Sequence, residues 1–575
     1  MKKYKTKILL VVILGIALFF RLVGLNWDQN HHLHPDERFL TMVTGAVSWP
    51  SSLVEYFDPT QSKLNPYNNN YNFFVYGTLP MKMVKFFAQL IIFDQYDYNN
   101  ITLVGRLSSA MFDMGVLILV FLICKNLFSQ RVALIACFFY AVSVLPIQLS
   151  HFYAVDTFAV FFTTLCFYFL IKLFVSRKLS YLNIILLSVA FSLALACKAS
   201  ALFLLPFILL AFVFSVFVNK NFTKHIFLFF LFLFVSYVSF RIADPRVFSS
   251  AEFLKFELNP QFVSNIKQLQ SFNNPEAAFP PAVQWIKTKP IIFPLKNMVL
   301  WGFGLPLAIV LIAGLLYSIF YFTFYMVKMF GKKNSQRFLK LSRQNFYHLL
   351  IVFWVCVIFF YQGIQFVKAM RYFYPLYPFL VILAANFTNK LWKKYPSLPL
   401  HIIYIFLILL YPISFLSIYF KPHSRIQASQ WIYNNIPKKS VLSCEHWDDC
   451  LPLGLPGKNS NVFQYKTLML EMYNKDTDLK WQKINNQLDE IDYLILSSNR
   501  LWGSIQTVPE RYPQSAKFYQ DLLSDKLNFK KVADITSNPC FPPVGKALFC
   551  FDSSYSDETF TVYDHPKVLI FEKKK

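Results

Sequence analysis

Asp36 and Glu37 are adjacent carboxylates in the stretch Asn26-Trp-Asp-Gln-Asn-His-His-Leu-His-Pro-Asp-Glu-Arg38, with His34 and Arg38 on either side. Neighbouring side chains on a helix or strand point in different directions, so one acid can face a cavity while a second partner holds the other. A carboxylate partly withdrawn from water has a raised pKa and can take a hydroxyl proton as a general base. Another acid, Asp156, follows His151 in HFYAVD. Cations complement these acids. Lys198 interrupts apolar sequence in ALACKASALFLLP, Arg241 and Arg246 stand in FRIADPRVF, and Lys368 and Arg371 stand in FVKAMRYFYPLYP. Proton-accepting acids beside anion-holding cations suit a substrate with a phosphate leaving group. No P-loop, GxGxxG or HExxH motif accompanies them.

The elements that position these residues are membrane helices. Of the 575 residues, 55% are hydrophobic and only 15% are charged, with 66 Phe against 15 Gly. A soluble domain carries about 25% charged residues, so a soluble multidomain enzyme and a disordered chain are both excluded. A crossing helix needs about 20 apolar residues. Eleven such spans are expected, near 8–25, 103–124, 132–148, 156–175, 181–197, 200–218, 226–242, 298–327, 346–366, 371–388 and 400–419. The segment 81–93 is too short and too basic to cross and reads as interfacial. The first span follows MKKYKTK, but no small-residue cleavage site comes after it, so it is expected to remain as an anchor.

The net charge of +25 belongs with this topology rather than with nucleic-acid binding. Positive loops stay cytoplasmic. With the N-terminus inside, the cytoplasmic loops are Lys125–Arg131, Arg177–Lys178, Lys220–His225, Lys328–Arg343 and Lys390–Lys394, and each is basic. The outer side then receives loops 26–102 and 243–297, turns at 149–155 and 198–199, and everything beyond residue 420. All the acids and cations singled out above fall on that side.

The expected domains are therefore 1–420, spanning the membrane, and 421–575, an extracytoplasmic α/β domain. In the latter, β-like runs at 441–444, 491–498 and 559–573 alternate with a polar helix near 476–490. Cys124, Cys137, Cys166, Cys197 and Cys356 lie in or beside apolar segments and read as packing residues. Cys444, Cys450, Cys540 and Cys550 lie in the tail, where disulfides persist. Local pairing, Cys444 with Cys450 and Cys540 with Cys550, is the first expectation, with other pairings and a zinc site left open.

Four segments together resemble the membrane glycosyltransferases of the GT-C superfamily. They are His34-Pro-Asp-Glu37 after the first span, the short HFYAVD turn, the KASALFLLP segment from Lys198, and the MRYFYPLYP segment around Arg371. Within that superfamily they are most similar to family 39, the protein O-mannosyltransferase-like and aminoarabinose transferase-like group, over roughly residues 1–420. The tail resembles extracytoplasmic domains of bacterial and archaeal relatives at EHWDD (445–449), SSNR (497–500) and VYDHPKV (562–568). It lacks the repeats of the eukaryotic lumenal domain.

The resemblance implies a hexosyl- or mannosyltransferase-like enzyme that takes a sugar from a polyprenyl-phosphate donor and passes it, with inversion, to a hydroxyl acceptor on a protein, lipid or cell-envelope glycan. It implies catalytic roles for Asp36, Glu37 and Asp156. His34, Arg38, His151, Lys198, Arg241, Lys368 and Arg371 are the expected substrate-binding residues. No cofactor is required by this scheme, although His34, Asp36 and Asp156 could hold a divalent ion. The alternative is a transporter or flippase for lipid-linked sugars or polysaccharides, which would need many spans and cations but no acidic pair in its first outer loop.

Overall fold

Each of the eleven apolar segments contains helix in the computed structural model, which describes residues 2–92, 96–175, 180–219, 222–276, 279–330, 343–456 and 462–574. Among these residues, seven helices are long and apolar enough to cross a bilayer. The pair Gln130–Ala141 and Val144–Ser150, bent by 60°, makes eight if counted as one broken span. Pro146 has no N–H to donate one turn back, so the break falls just before it.

The difference from eleven has local causes. Tyr181–Leu195 has 15 residues, about 22 Å of helix against a hydrocarbon core of about 30 Å. The segment 371–388 opens with a 3-10 turn, Met370–Leu376, and continues as the helix Tyr377–Lys394, which ends in lysines. The first helix, Lys2–Leu22, begins in a run of lysines. Of the expected basic loops, Arg177–Lys178, residues 220–221 and residues 331–342 lie outside the described residues. The interfacial segment is the helix Leu79–Ile92, too short to cross.

The helices pack through small residues where backbones meet. A Cβ at Gly314 would stand 2.6 Å from the Cα of Ala384, so Leu305–Phe330 and Tyr377–Lys394 touch backbone to backbone at that point. Tyr98–Leu127, the longest span, runs through the main core and carries Arg106 and Asp113 inside it.

Beyond the last span the chain builds a sheet from β1 (Val441–Glu445), β2 (Lys466–Leu470), β3 (Tyr493–Leu496), β4 (Phe529–Ile535) and β7 (Val568–Lys573). Their order is β2-β1-β3-β7-β4, while β5 (Cys540–Phe541) and β6 (Phe549–Cys550) form a separate hairpin. β1 runs parallel to β2 and β3, and β7 is antiparallel to β3 and β4. Alternate residues of β3 face opposite layers. Leu494 and Leu496 pack with Trp481 and Tyr519 of the helices Asp478–Glu490 and Pro513–Leu523. Tyr493 and Ile495 pack with Ala428 and Ile432 of the helix Ser424–Asn435.

The run 559–573 is a strand only from Val568 onward, because Asp557 caps a helical turn at Glu558–Thr561. The disulfides are Cys444–Cys450 and Cys540–Cys550, the local pairing.

Glu445 ends β1 inside this domain. Burial pushes its carboxyl up to about 8, against a hydrogen bond donated by the Tyr519 hydroxyl. A carboxyl held protonated in the fold but ionised in the unfolded chain loses stability as pH rises from 4.5 toward 8. The loss is roughly 3 kcal/mol between pH 4.5 and pH 7, at about 1.4 kcal/mol per unit. Glu445→Gln should therefore raise the melting temperature more at pH 8 than at pH 5. An equal shift at both values would contradict the assignment.

Candidate active site

The helix Pro35–Ala46 places both acids in its first turn. Pro35 occupies a position where a missing N–H costs nothing, and the His34 ring accepts the Glu37 N–H at 3.3 Å as the cap. Two carboxylates there are also favoured by the helix dipole. The acids then diverge.

Asp36 accepts from the Arg371 guanidinium, and the Tyr76 hydroxyl lies near enough to lower its pKa. Burial raises its carboxyl, but the charges of Arg371 and His34 and the Arg371 and Tyr76 hydrogen bonds outweigh it and hold the group down at about 2. His34 is held down to about 4, first by burial and then by Arg371, with the charge of Asp36 opposing. It is therefore neutral near pH 7.

Glu37 points inward to a buried triad. Its two oxygens accept from Arg106 at 2.5 and 2.9 Å, and one also accepts the Tyr153 N–H at 2.8 Å. Arg106 reaches both oxygens of Asp28 at 3.0 and 2.8 Å.

Arg371 sits in the Met370–Leu376 turn, with its Nε buried and without an acceptor among the described residues. Asp156, in the first turn of Val155–Val175, pairs with Lys198 at 2.8 Å. The Lys198 ammonium also lies 5.0 Å from the ring centre of Tyr372, next to Arg371. Tyr76 and Arg371 each feel the charges of both Asp36 and Asp156, so the two ion pairs share one site.

The tail closes over this group. The Tyr563 ring lies 4.1 Å from that of His34, tilted by 39°, and the Met370 N–H donates to Asp557 at 3.1 Å. Arg38 reaches Asp449 at 3.0 Å. A small cavity where the tail meets the helices is lined by His34, Gln148, Phe152, Arg371, Phe560 and Tyr563, among others.

Three other expected binding residues have different partners. His151 is buried against the carbonyls of Ile147 and Val23, at 2.8 and 2.9 Å, and stacks on Tyr419. Lys368 donates to the carbonyls of Gln365 and Phe366. Arg241 donates to the carbonyls of Ser250 and Glu252. Tyr76, Tyr372, Tyr563 and the Arg106 triad were not anticipated. Of these only Arg106, a cation inside an apolar helix, carries a sequence signal.

Residues 86–240 match the family model described as dolichyl-phosphate-mannose-protein mannosyltransferase. None of the curated proteins matches in sequence. Among solved structures, the archaeal oligosaccharyltransferase AglB of Archaeoglobus fulgidus, in complex with an inhibitory peptide and a dolichol-phosphate, is similar over 92% of this chain and 73% of its own. Identity is 13% and the TM-score 0.50. The Archaeoglobus fulgidus enzyme tethered to an acceptor peptide gives a TM-score of 0.51 at 13% identity, over 90% of this chain and 72% of its own. The chain has the GT-C fold. ArnT from Cupriavidus metallidurans is also similar, at 13% identity and a TM-score of 0.44, over 98% of this chain and 97% of its own. Within the GT-C fold, the stretch that matches the mannosyltransferase family model runs from the interfacial helix to the span Phe222–Ala243. It includes Arg106, Asp156 and Lys198.

Proposed function

We propose that this multi-pass membrane protein is an inverting glycosyltransferase that moves a sugar from a polyprenyl-phosphate donor to a hydroxyl acceptor on the extracytoplasmic face. The observation that carries this reading is the Asp36–Arg371 pair, a base and an anion binder in contact, with the Arg371 Nε still free to donate. An incoming donor phosphate competes with Asp36 for the guanidinium, and Arg presents a planar fork suited to phosphate. As the phosphate takes Arg371, the Asp36 carboxylate is released to accept a proton.

Asp36 then removes the acceptor hydroxyl proton. The oxygen attacks the anomeric carbon from the face opposite the phosphate, a new C–O bond forms, and the bond to the phosphate oxygen breaks with its electron pair. Arg371 and Lys198 offset the charge on the departing phosphate, and Asp156 holds Lys198 in place. Tyr76 orients Asp36.

No metal enters these steps. In this structure the His34 ring accepts the Glu37 N–H, Asp36 pairs with Arg371 and Asp156 pairs with Lys198. Among the described residues no three His, Cys, Asp or Glu side chains form a metal-holding group.

Orientation follows from the basic loops: the N-terminus lies in the cytoplasm and the tail outside. The tail, docked on the site through Tyr563, Asp557 and Asp449, selects the acceptor. The test is to incubate the purified protein in lipid with a panel of radiolabelled polyprenyl-phosphate sugars and acceptor hydroxyls. Transfer with inverted anomeric configuration and release of polyprenyl phosphate is expected from at least one donor. Movement of intact donor across vesicles without sugar release would favour the transporter instead.

A further inference from the structure

Arg241 lies at the end of a span but turns away from the acids, and what it holds is a hairpin. An antiparallel bridge joins Phe248 to Leu258, and the Ser249 N–H donates to the Glu257 carbonyl at 3.0 Å. The tip of the hairpin, Glu252-Phe-Leu-Lys-Phe-Glu257, folds back along the span Phe222–Ala243 instead of rising from it. Arg241 clasps the carbonyls of Ser250 and Glu252 and covers the rings of Phe248 and Phe253 at 4.3 and 5.4 Å. One turn deeper, the Tyr237 hydroxyl donates to the Phe253 carbonyl, and the Tyr237 ring lies 4.8 Å from that of Phe256. Tyr237 stands six residues before the helix end at Ala243, which is about 9 Å down the axis. The tip is therefore level with the outer turns of a crossing helix.

Its apolar side chains face away from the protein. Leu254 is 85% exposed and Phe256 66%. They continue the exposed stripe of the span itself, which includes Phe230, Phe234 and Ile242. Beside them, Phe57 packs 5.0 Å from Phe253, on the short helix Leu53–Phe57 whose Leu53 and Val54 are each 77% exposed. The helix Leu79–Ile92 also exposes Phe86, Leu90 and Ile91, and a Trp49–Gln89 hydrogen bond of 2.5 Å ties it to the segment before Leu53–Phe57.

We infer that residues 248–258 are a membrane-seated hairpin, with Leu254 and Phe256 in the acyl region of the leaflet on the active-site side and Arg241 as the clasp that holds it there. The partner is the lipid leaflet. Continuity with the lipid-facing stripe of Phe222–Ala243 argues for it, and aromatic and aliphatic side chains at this level are what the bilayer interface accommodates. The one cation in the tip, Lys255, stands between Leu254 and Phe256, pairs with Glu257 at 3.5 Å and has a stem long enough to bring its ammonium back to the headgroups. At its base the hairpin joins the site: Arg246 donates to the Tyr76 carbonyl at 2.8 Å, and Asp244 accepts the Thr78 N–H at 3.2 Å. The seat thus supports the segment that carries Tyr76 to Asp36.

The experiment uses the full chain in lipid nanodiscs, with Cys356→Ser to silence the one partly exposed free thiol among the described residues. A spin label is attached at Leu254→Cys or, as an aqueous reference, at Leu479→Cys on the tail helix Asp478–Glu490, where Leu479 is 77% exposed. Relaxation by oxygen, which concentrates in lipid, is compared with relaxation by a water-soluble nickel chelate. The oxygen-to-nickel ratio should be several-fold higher at 254 than at 479, and Arg241→Ala should bring the 254 ratio down toward that of 479. Equal ratios at the two positions would overturn the seat, as would a 254 label that neither reagent reaches. An unchanged ratio in Arg241→Ala would overturn the clasp. Both labelled positions are exposed, so neither substitution threatens folding, and the readout does not depend on transferase activity.

Discussion

Asp36→Asn should cut turnover by about 10²–10⁴, the usual contribution of a positioned general base, or roughly 2.7–5.4 kcal/mol of barrier. Asparagine keeps an oxygen for Arg371 and Tyr76 but cannot take the acceptor's proton. Donor affinity should survive or improve, because the Arg371 guanidinium no longer has a carboxylate competing with phosphate. Arg371→Ala should behave differently, losing donor affinity and turnover together, since an anion contact serves both ground state and transition state.

The pH profile separates the two variants further. In the free enzyme Asp36 sits at about 2, held there against burial largely by Arg371, so kcat/KM should show no acid limb from this group between pH 5 and pH 8. Removing Arg371 removes the main lowering influence while burial remains. The Asp36 carboxyl therefore rises, and an acid limb should appear in kcat/KM of Arg371→Ala at higher pH. Turnover, donor affinity and the pH profile of each variant check these expectations. Normal turnover by Asp36→Asn would remove it from the reaction.

What the residues revealed in advance depended on whether their type was out of place. Asp36, Asp156, Lys198 and Arg371 stood out as charges beside apolar spans, and the structure brings them together as two ion pairs in one site. A shared side of the membrane does not set direction, however. Arg241, Lys368 and His151 were expected on that side too, but they face backbone carbonyls instead. Tyr76, Tyr372 and Tyr563 are three among 32 tyrosines, with nothing in their spacing to mark them.

The tail follows the same logic. β1 and β3 were legible from continuous apolar runs, whereas β2 and β4 were not. These two are the edges of the sheet, and they carry lysines on exposed positions, as edge strands do to discourage further pairing. Among the described residues seven of the eleven expected segments, or eight with the bent pair, are helices long and apolar enough to cross by themselves; the other three are shortened or edged with lysines. Asn386, Asn389 and the terminal lysines make Tyr377–Lys394 more polar than the crossing helices, and the 3-10 turn before it delivers Arg371 to the site.

Glu37 provides the second large effect, on stability. Asp28, Glu37 and Arg106 are fully buried, with two carboxylates sharing one guanidinium. Removing one member of a buried ion pair typically costs about 3–5 kcal/mol, because it strands a charge. Arg106→Met strands two and should be the worst single change, at or above that range. Glu37→Gln leaves Arg106 paired with Asp28, and its amide oxygen can still accept the Tyr153 N–H or one Arg106 N–H. It should cost less, about 1–3 kcal/mol for the donor left unmet. The melting temperature in lipid or detergent should fall in that order, while the donor KM of folded Glu37→Gln stays near that of the parent. Loss of turnover by Glu37→Gln at an unchanged melting temperature would instead place Glu37 in the reaction. The triple variant Asp28→Asn, Glu37→Gln, Arg106→Met carries no stranded charge, so it should recover much of what Arg106→Met loses. That recovery would show that the triad's charges act on one another, at the start of the helix from which Asp36 reaches Arg371.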